Sequence, residues 1–167
     1  MMNYKHALVA AGMMGFVTAQ AMAAVPSADR TFATKAAQGG LAEVTLGQLA
    51  EQKGASPQIK QFGERMVTDH SQANQELQQI AQQENLSLPK QLDSKDRATE
   101  QRLRGMNGTA FDSAYSQDMV ADHKQDIADF RKEAQSGQDP ALKGFAQKYL
   151  PVLEQHLQMA EAATSAR

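Results

Sequence analysis

The sequence runs to 167 residues, with 17 basic against 19 acidic side chains, a formal charge of −2, no cysteine and no tryptophan. Without cysteine there is no disulfide framework, thiolate metal site, cysteine nucleophile or lipobox. The basic residues are scattered among the acidic ones, which excludes a basic stripe for nucleic acid and leaves no like-charge tail.

The N-terminus reads as a secretory signal over residues 1–23. Lys5 and His6 form a short basic region, Ala7 to Thr18 an apolar one, and Ala21-Met22-Ala23 a small-x-small cleavage site. An apolar run of about a dozen residues falls short of the roughly 20 that a membrane span needs, which disfavours an uncleaved anchor. Cleavage after Ala23 leaves 144 residues with a charge of −3, and no later apolar run is long enough to span a bilayer. The expectation is a single helical-bundle domain over 24–167, with its core at about 29–163, exported to the bacterial periplasm. A domain of this length folds there without disulfides.

Beyond the signal nothing alternates like a strand, and Ala, Gln, Leu, Lys and Glu favour helix. A first helix runs from about Asp29 to Lys53 and is ended by Gly54. A second starts after Ser56, with Pro57 at the first helical position, and ends near Asn85. A short helix, Asp93 to Arg104, lies in the link that follows. The third long helix starts after Asn107-Gly108, with Thr109 as candidate cap, and ends near Gly137; the fourth starts at Asp139-Pro140 and runs to about Ala163. The starts Ser56-Pro57-Gln58-Ile59-Lys60-Gln61-Phe62-Gly63 and Asp139-Pro140-Ala141-Leu142-Lys143-Gly144-Phe145-Ala146 align. Two helix hairpins with a long connection predict an all-α four-helix bundle of duplicated origin, with a short extra helix between helices 2 and 3.

One pentapeptide occurs nearly twice, as Met66-Val67-Thr68-Asp69-His70 and Met119-Val120-Ala121-Asp122-His123. Winding each helix at about 100° per residue places His70 within the apolar stripe of the second long helix and His123 within that of the third. His156 falls near the edge of the stripe of the fourth, and Glu43 intrudes on the apolar side of the first. Gly40 and Gly47 flank Glu43 one turn away on each side, which lets a neighbouring helix come close. All four residues lie near the middle of their helices. At about 1.5 Å rise per residue they fall in one central layer within about 10 Å along the axis, whatever the connectivity.

Two explanations compete for that layer. Three imidazoles, with or without the Glu43 carboxylate, suit zinc, copper, manganese or iron, and helix bundles place ligands in this way. Alternatively Glu43 accepts from a histidine, a tyrosine such as Tyr115 or Tyr149 completes a buried network, and the layer fixes helix register. Met66, Met119 and Met159 each lie within one turn of a histidine, as soft copper(I) ligands or as adaptable core fillers. Asp69 and Asp122 adjoin histidines but project about 100° away, toward the rim or solvent. Pro151 interrupts the fourth helix five residues before His156, to aim that ring or to wrap the helix round the core.

Gly39-Gly40-Leu41-Ala42-Glu43, Phe62 through His70, Phe111-Asp112-Ser113-Ala114-Tyr115, Met119 through His123 and Leu150 through Leu157 together resemble the bacterial family called domain of unknown function 4142. The resemblance spans about residues 30–163. It implies an exported protein with a ferritin-like helical bundle, of the kind labelled outer-membrane or periplasmic, and brings no settled biochemical function. Di-iron bundles use Glu-x-x-His on two helices. Here Val67, Val120 and Leu153 stand three residues before the histidines, so a ferroxidase or iron store is not expected. Phosphate loops, nucleophile elbows and His-Glu-x-x-His motifs are missing too. The open classes are a periplasmic bundle binding or buffering a transition metal, a non-catalytic envelope or stress-related structural or partner-binding protein, and an oxidoreductase at the same layer. Any partner is unknown, and export is compatible with association with the cell envelope.

Overall fold

The computed structural model describes residues 24–165, so the expected signal over 1–23 lies outside the described residues. Five helices follow in order: α1 Ser27–Lys53, α2 Pro57–Gln83, α3 Ser94–Arg104, α4 Gly108–Ser136 and α5 Pro140–Ser165. There is no strand among the described residues, and no helix there is long and apolar enough to cross a membrane.

The starts follow the capping chemistry of the sequence. Ser56 Oγ accepts from the Ile59 backbone N–H (3.2 Å), Asp93 from Asp96 (2.9 Å) and Asp139 from Leu142 (2.9 Å). Two expectations shift. Thr109 does not cap α4; Asn107 takes that position and the helix opens at Gly108, whose φ of +60° a residue with a side chain would resist. α1 begins at Ser27, which leaves Asp29 inside its first turn with another task.

That task is to tie a turn. Asp29 accepts from the backbone N–H groups of Gln138 (2.8 Å) and Asp139 (2.5 Å) in the α4–α5 link. Asp112, in the first turns of α4, accepts from Ala55 and Ser56 (2.9 Å each) in the α1–α2 link. Each hairpin therefore secures the other's tight turn. Asp29 and Asp112 are 83 positions apart, as are the aligned Ser56 and Asp139. The 83-residue offset thus relates the hairpins, α1–α2 to α4–α5, and the repeated pentapeptide lies on helices that are not counterparts.

The four long helices pack in a ring: α1 against α2 and α4, α5 against α4 and α2, with α3 against α1 and α4. Between α1 and α2 the backbones nearly touch. A Cβ on Gly47 would lie 2.9 Å from the Gly63 carbonyl, and one on Gly63 2.7 Å from that of Gly47. Two apolar cores fill the ring. One gathers Phe32, Leu77, Phe130, Phe145, Tyr149 and Leu153, with Phe32 and Phe130 edge to face at 4.9 Å. The other gathers Leu49, Phe62, Met66, Phe111, Tyr115 and Met119, and Leu103 of α3 joins it. Along every long helix the switch from one core to the other passes a single buried polar residue: Glu43, His70, His123 or His156.

Candidate metal centre

The sequence-predicted residues meet in that gap. Glu43, His123 and His156 are no more than 1% exposed and His70 is 6% exposed. The ring centroids lie 5.9 Å (His70–His123), 5.2 Å (His70–His156) and 5.4 Å (His123–His156) apart. One nitrogen from each ring lies within 4.8 Å of one from each of the others.

Each ring is tied at one nitrogen. His70 Nδ1 donates to Glu43 Oε2 (2.9 Å), His123 Nδ1 to the Met119 carbonyl one turn earlier (3.0 Å), and His156 Nε2 to Asp69 Oδ2 (2.8 Å). Carboxylates and carbonyls only accept, so the tied nitrogen carries the proton in all three, and a neutral ring keeps its lone pair on the other. Those other nitrogens, His70 Nε2, His123 Nε2 and His156 Nδ1, are buried without a hydrogen-bond partner. Arg65 Nε in turn donates to Asp69 Oδ2 (2.5 Å), so the His156 anchor is itself held.

The electrostatics separate the rings. Burial pushes the Glu43 carboxyl up, but His70 and His123 outweigh it and hold the group at about 2. Burial likewise works against a charged His70, yet the adjacent Glu43 carboxylate wins and raises it. His123 is pushed down to about 4 by burial, which Glu43 only partly opposes. Burial and then the His70 charge lower His156. Glu43 is thus held as a carboxylate, with His70 drawn toward its charged form and His123 and His156 toward the neutral one, so a cation on the three rings would displace any proton on His70 Nε2.

Sequence reasoning missed the carboxylates around the rings. Asp69 does lie at the rim, partly exposed beside Arg65, but it also reaches in to pair with His156. Asp122 also turns inward: with Asp126 it stands within 4.8 Å of the Glu43 carboxylate. Burial and the Glu43 charge push Asp122 up to about 7 and Asp126 well above the usual carboxylate range. The available signal was the spacing Asp122–Asp126, one turn apart, and the 83-residue offset that makes Asp126 the counterpart of Glu43. The tyrosines do not complete a network. Tyr149 donates to Glu76 (2.9 Å) and the buried Tyr115 hydroxyl has no hydrogen-bond partner. Met66 and Met119 are buried in the apolar core, whereas Met159 is 36% exposed. Pro151 leaves α5 continuous, with the proline on the exposed side.

No curated protein matches the sequence. A crystal structure of a DUF305 fragment from Deinococcus radiodurans is similar in fold, with a TM-score of 0.76 at 7% identity, over 87% of this chain and 100% of that one. At that identity the likeness concerns the helical fold alone. The family model described as domain of unknown function DUF4142 matches residues 16–163, nearly the whole sequence, and the chain belongs to that family.

Proposed function

We propose that this protein is an exported, periplasmic metal-binding bundle whose central layer holds one transition-metal ion on His70, His123 and His156. The observation that carries the reading is the state of the ring nitrogens. Three imidazoles are each fixed by an acceptor on one side and left with a buried, unpartnered nitrogen on the other. Leaving a buried polar atom unpaired costs about 1–3 kcal/mol, and three in one layer are an unstable arrangement without a cation. Metal-bound histidines characteristically donate their second nitrogen to a carboxylate or backbone carbonyl, which sets the tautomer and raises ligand basicity.

In this reading Glu43 and Asp69 orient rings rather than supply the primary ligands, and the Met119 carbonyl does the same for His123. Three imidazoles suit zinc, copper or iron better than an oxygen-preferring ion, and the apolar cores on both sides keep water from the layer. The ring of four long helices supports a ferritin-like arrangement, with imidazoles in place of the carboxylate-rich di-iron set. Export rests on the basic, apolar and small-x-small pattern of residues 1–23. N-terminal sequencing of protein released by osmotic shock tests it; an intact Met1 on membrane-bound product overturns it.

A second reading, a layer that only fixes helix register, draws on the same hydrogen bonds. Metal analysis of untagged protein decides between them. The metal reading expects about one equivalent of Zn(II), Cu(II) or Fe(II), a thermal shift on its addition, and loss of both in His123→Ala and His156→Ala. Substoichiometric metal with no shift for any of the three ions overturns it.

A further inference from the structure

A second cluster of potential ligands lies beside the histidines. Glu43 comes from α1, and Asp122 and Asp126 from one face of α4, one turn apart. One oxygen from each of the three falls within 4.8 Å of the other two. Asp126 lies against the α1 backbone: a Cβ on Gly39 would sit 3.4 Å from Asp126 Oδ2, an ordinary contact. The pseudo-repeat sets Glu43 and Asp126 in corresponding positions, so the two hairpins each contribute an acid to the α1–α4 seam.

Glu43 is the decisive member. Its Oε2 accepts from His70, while Oε1 is buried without a hydrogen-bond partner. The nearest basic atom across the layer is His123 Nε2 at 3.5 Å, and that nitrogen carries a lone pair because Nδ1 donates to Met119. Two acceptors thus face one another in the interior, with two more carboxyl groups alongside. An arrangement of this kind lowers its energy by taking up positive charge.

We propose that Glu43, Asp122 and Asp126 form a second cation site, for an oxygen-preferring divalent ion such as Mn(II) or Ca(II), sharing the Glu43 carboxylate with the histidine layer. The donor set is entirely carboxylate oxygen, which suits hard divalent ions and not a soft one. Spacings below 4.8 Å accommodate an ion held at about 2.1–2.5 Å from each oxygen after small side-chain movements. A cleft of about 290 Å3 between α1, α3 and α4 is lined by Ala42, Lys95, Asp96, Asp118 and Asp122, so one carboxyl of the trio borders it. Lys95, exposed on its wall, is the competing cation, and its charge opposes the upward push on Asp122 and Asp126. The site goes beyond the histidine reading and does not require the rings to be loaded.

The test uses untagged protein from the full-length sequence, stripped with chelator and titrated with Mn(II), free ion being followed by its electron paramagnetic resonance signal. Wild type and His156→Ala are both expected to remove one equivalent of Mn(II) in a class that Asp126→Asn weakens at least tenfold. Asp126→Asn should still bind Zn(II) at the histidines, which also shows that it folds; Asp122→Asn, read in the same way, replaces it if it does not. Mn(II) binding unchanged by both Asn substitutions overturns the site. So does a wild type that binds no Mn(II) and is stabilised by both substitutions, because the trio then holds protons only. Failure of Zn(II) binding in wild type counts against the histidine centre and leaves the carboxylate result to be read by itself.

Discussion

Glu43 and Glu133 are both buried glutamates on long helices, 1% and 5% exposed, and each has one oxygen without a hydrogen-bond partner. Their protons are held in opposite ways. At Glu43, burial is outweighed by His70 and His123, and the group stays ionised down to about pH 2. At Glu133, near the α4–α5 turn, burial is reinforced by Asp29 and Asp139, and the group is pushed up to about 7. Similar exposure therefore goes with shifts in opposite directions, and the neighbours decide which. The middle of the bundle is arranged to keep a negative charge beside imidazoles, whereas the end of the bundle tolerates an acid that holds its proton well above the usual range.

The strongest way to break that contrast is Glu43→Ala. It removes the partner of His70 Nδ1 and the charge that offsets burial of that ring, and should cost about 3–5 kcal/mol in urea denaturation of the metal-free protein. A loss below about 1 kcal/mol would mean that the layer relaxes without its anchor.

Next in size come the ligands. Metal at 100 times its dissociation constant should stabilise wild type by about 2.7 kcal/mol and leave His123→Ala and His156→Ala unchanged. Because the rings share one centre, the two substitutions should be strongly non-additive in a double-mutant cycle. Asp69→Asn weakens the tie that orients His156 while leaving the ring in place, and is expected to lower metal affinity about 10–100-fold, measured by competition with a chelator. An unaltered affinity would make Asp69 a surface partner of Arg65 only.

The smallest effect sharpens the comparison through pH. Glu133 has a raised folded pKa, so its contribution to stability is fully present below the usual 4.5 and is lost as pH rises through about 7. Glu43 is the reverse, contributing above 4.5 and losing that contribution as pH falls through about 2. Glu133→Gln should flatten the decline in melting temperature between pH 5 and 8, and Glu43→Gln should flatten the acid limb and, by removing the carboxylate that raises His70, the decline above pH 6.5 that His70 contributes. Parallel slopes for Glu133→Gln and wild type above pH 5 would remove Glu133 as the cause.

The helices were legible because their signals are local. Ser56-Pro57, Asp93 and Asp139-Pro140 cap through bonds to residues three positions on, and Gly54 and Gly137 end the elements before them. The meeting of Glu43, His70, His123 and His156 was legible too, since height along a helix and position on its apolar face follow from counting residues. Asp69 and Asp122 were not. Both sit about 100° from the stripe, and a side chain there reaches solvent or a neighbouring helix according to how that neighbour is rotated. α5 brings His156 to Asp69, and α1 brings Glu43 to Asp122 and Asp126. The counterpart relation of Asp29 and Asp112 was also hidden, because each makes its bonds to a turn in the other hairpin.

The sequence by itself determined an all-α chain, the order and approximate bounds of its helices, and the one level at which four buried polar residues interrupt the apolar core. These follow from short-range hydrogen bonding and from the 3.6-residue period, which are properties of consecutive residues. Only the tertiary structure decided which nitrogen of each histidine is tied, which carboxylates orient rings and which gather into a second cluster. Those outcomes depend on helix rotation and spacing across the ring, set by the near contact of Gly47 with Gly63 and by the two apolar cores, and they involve partners up to 87 residues apart in the chain.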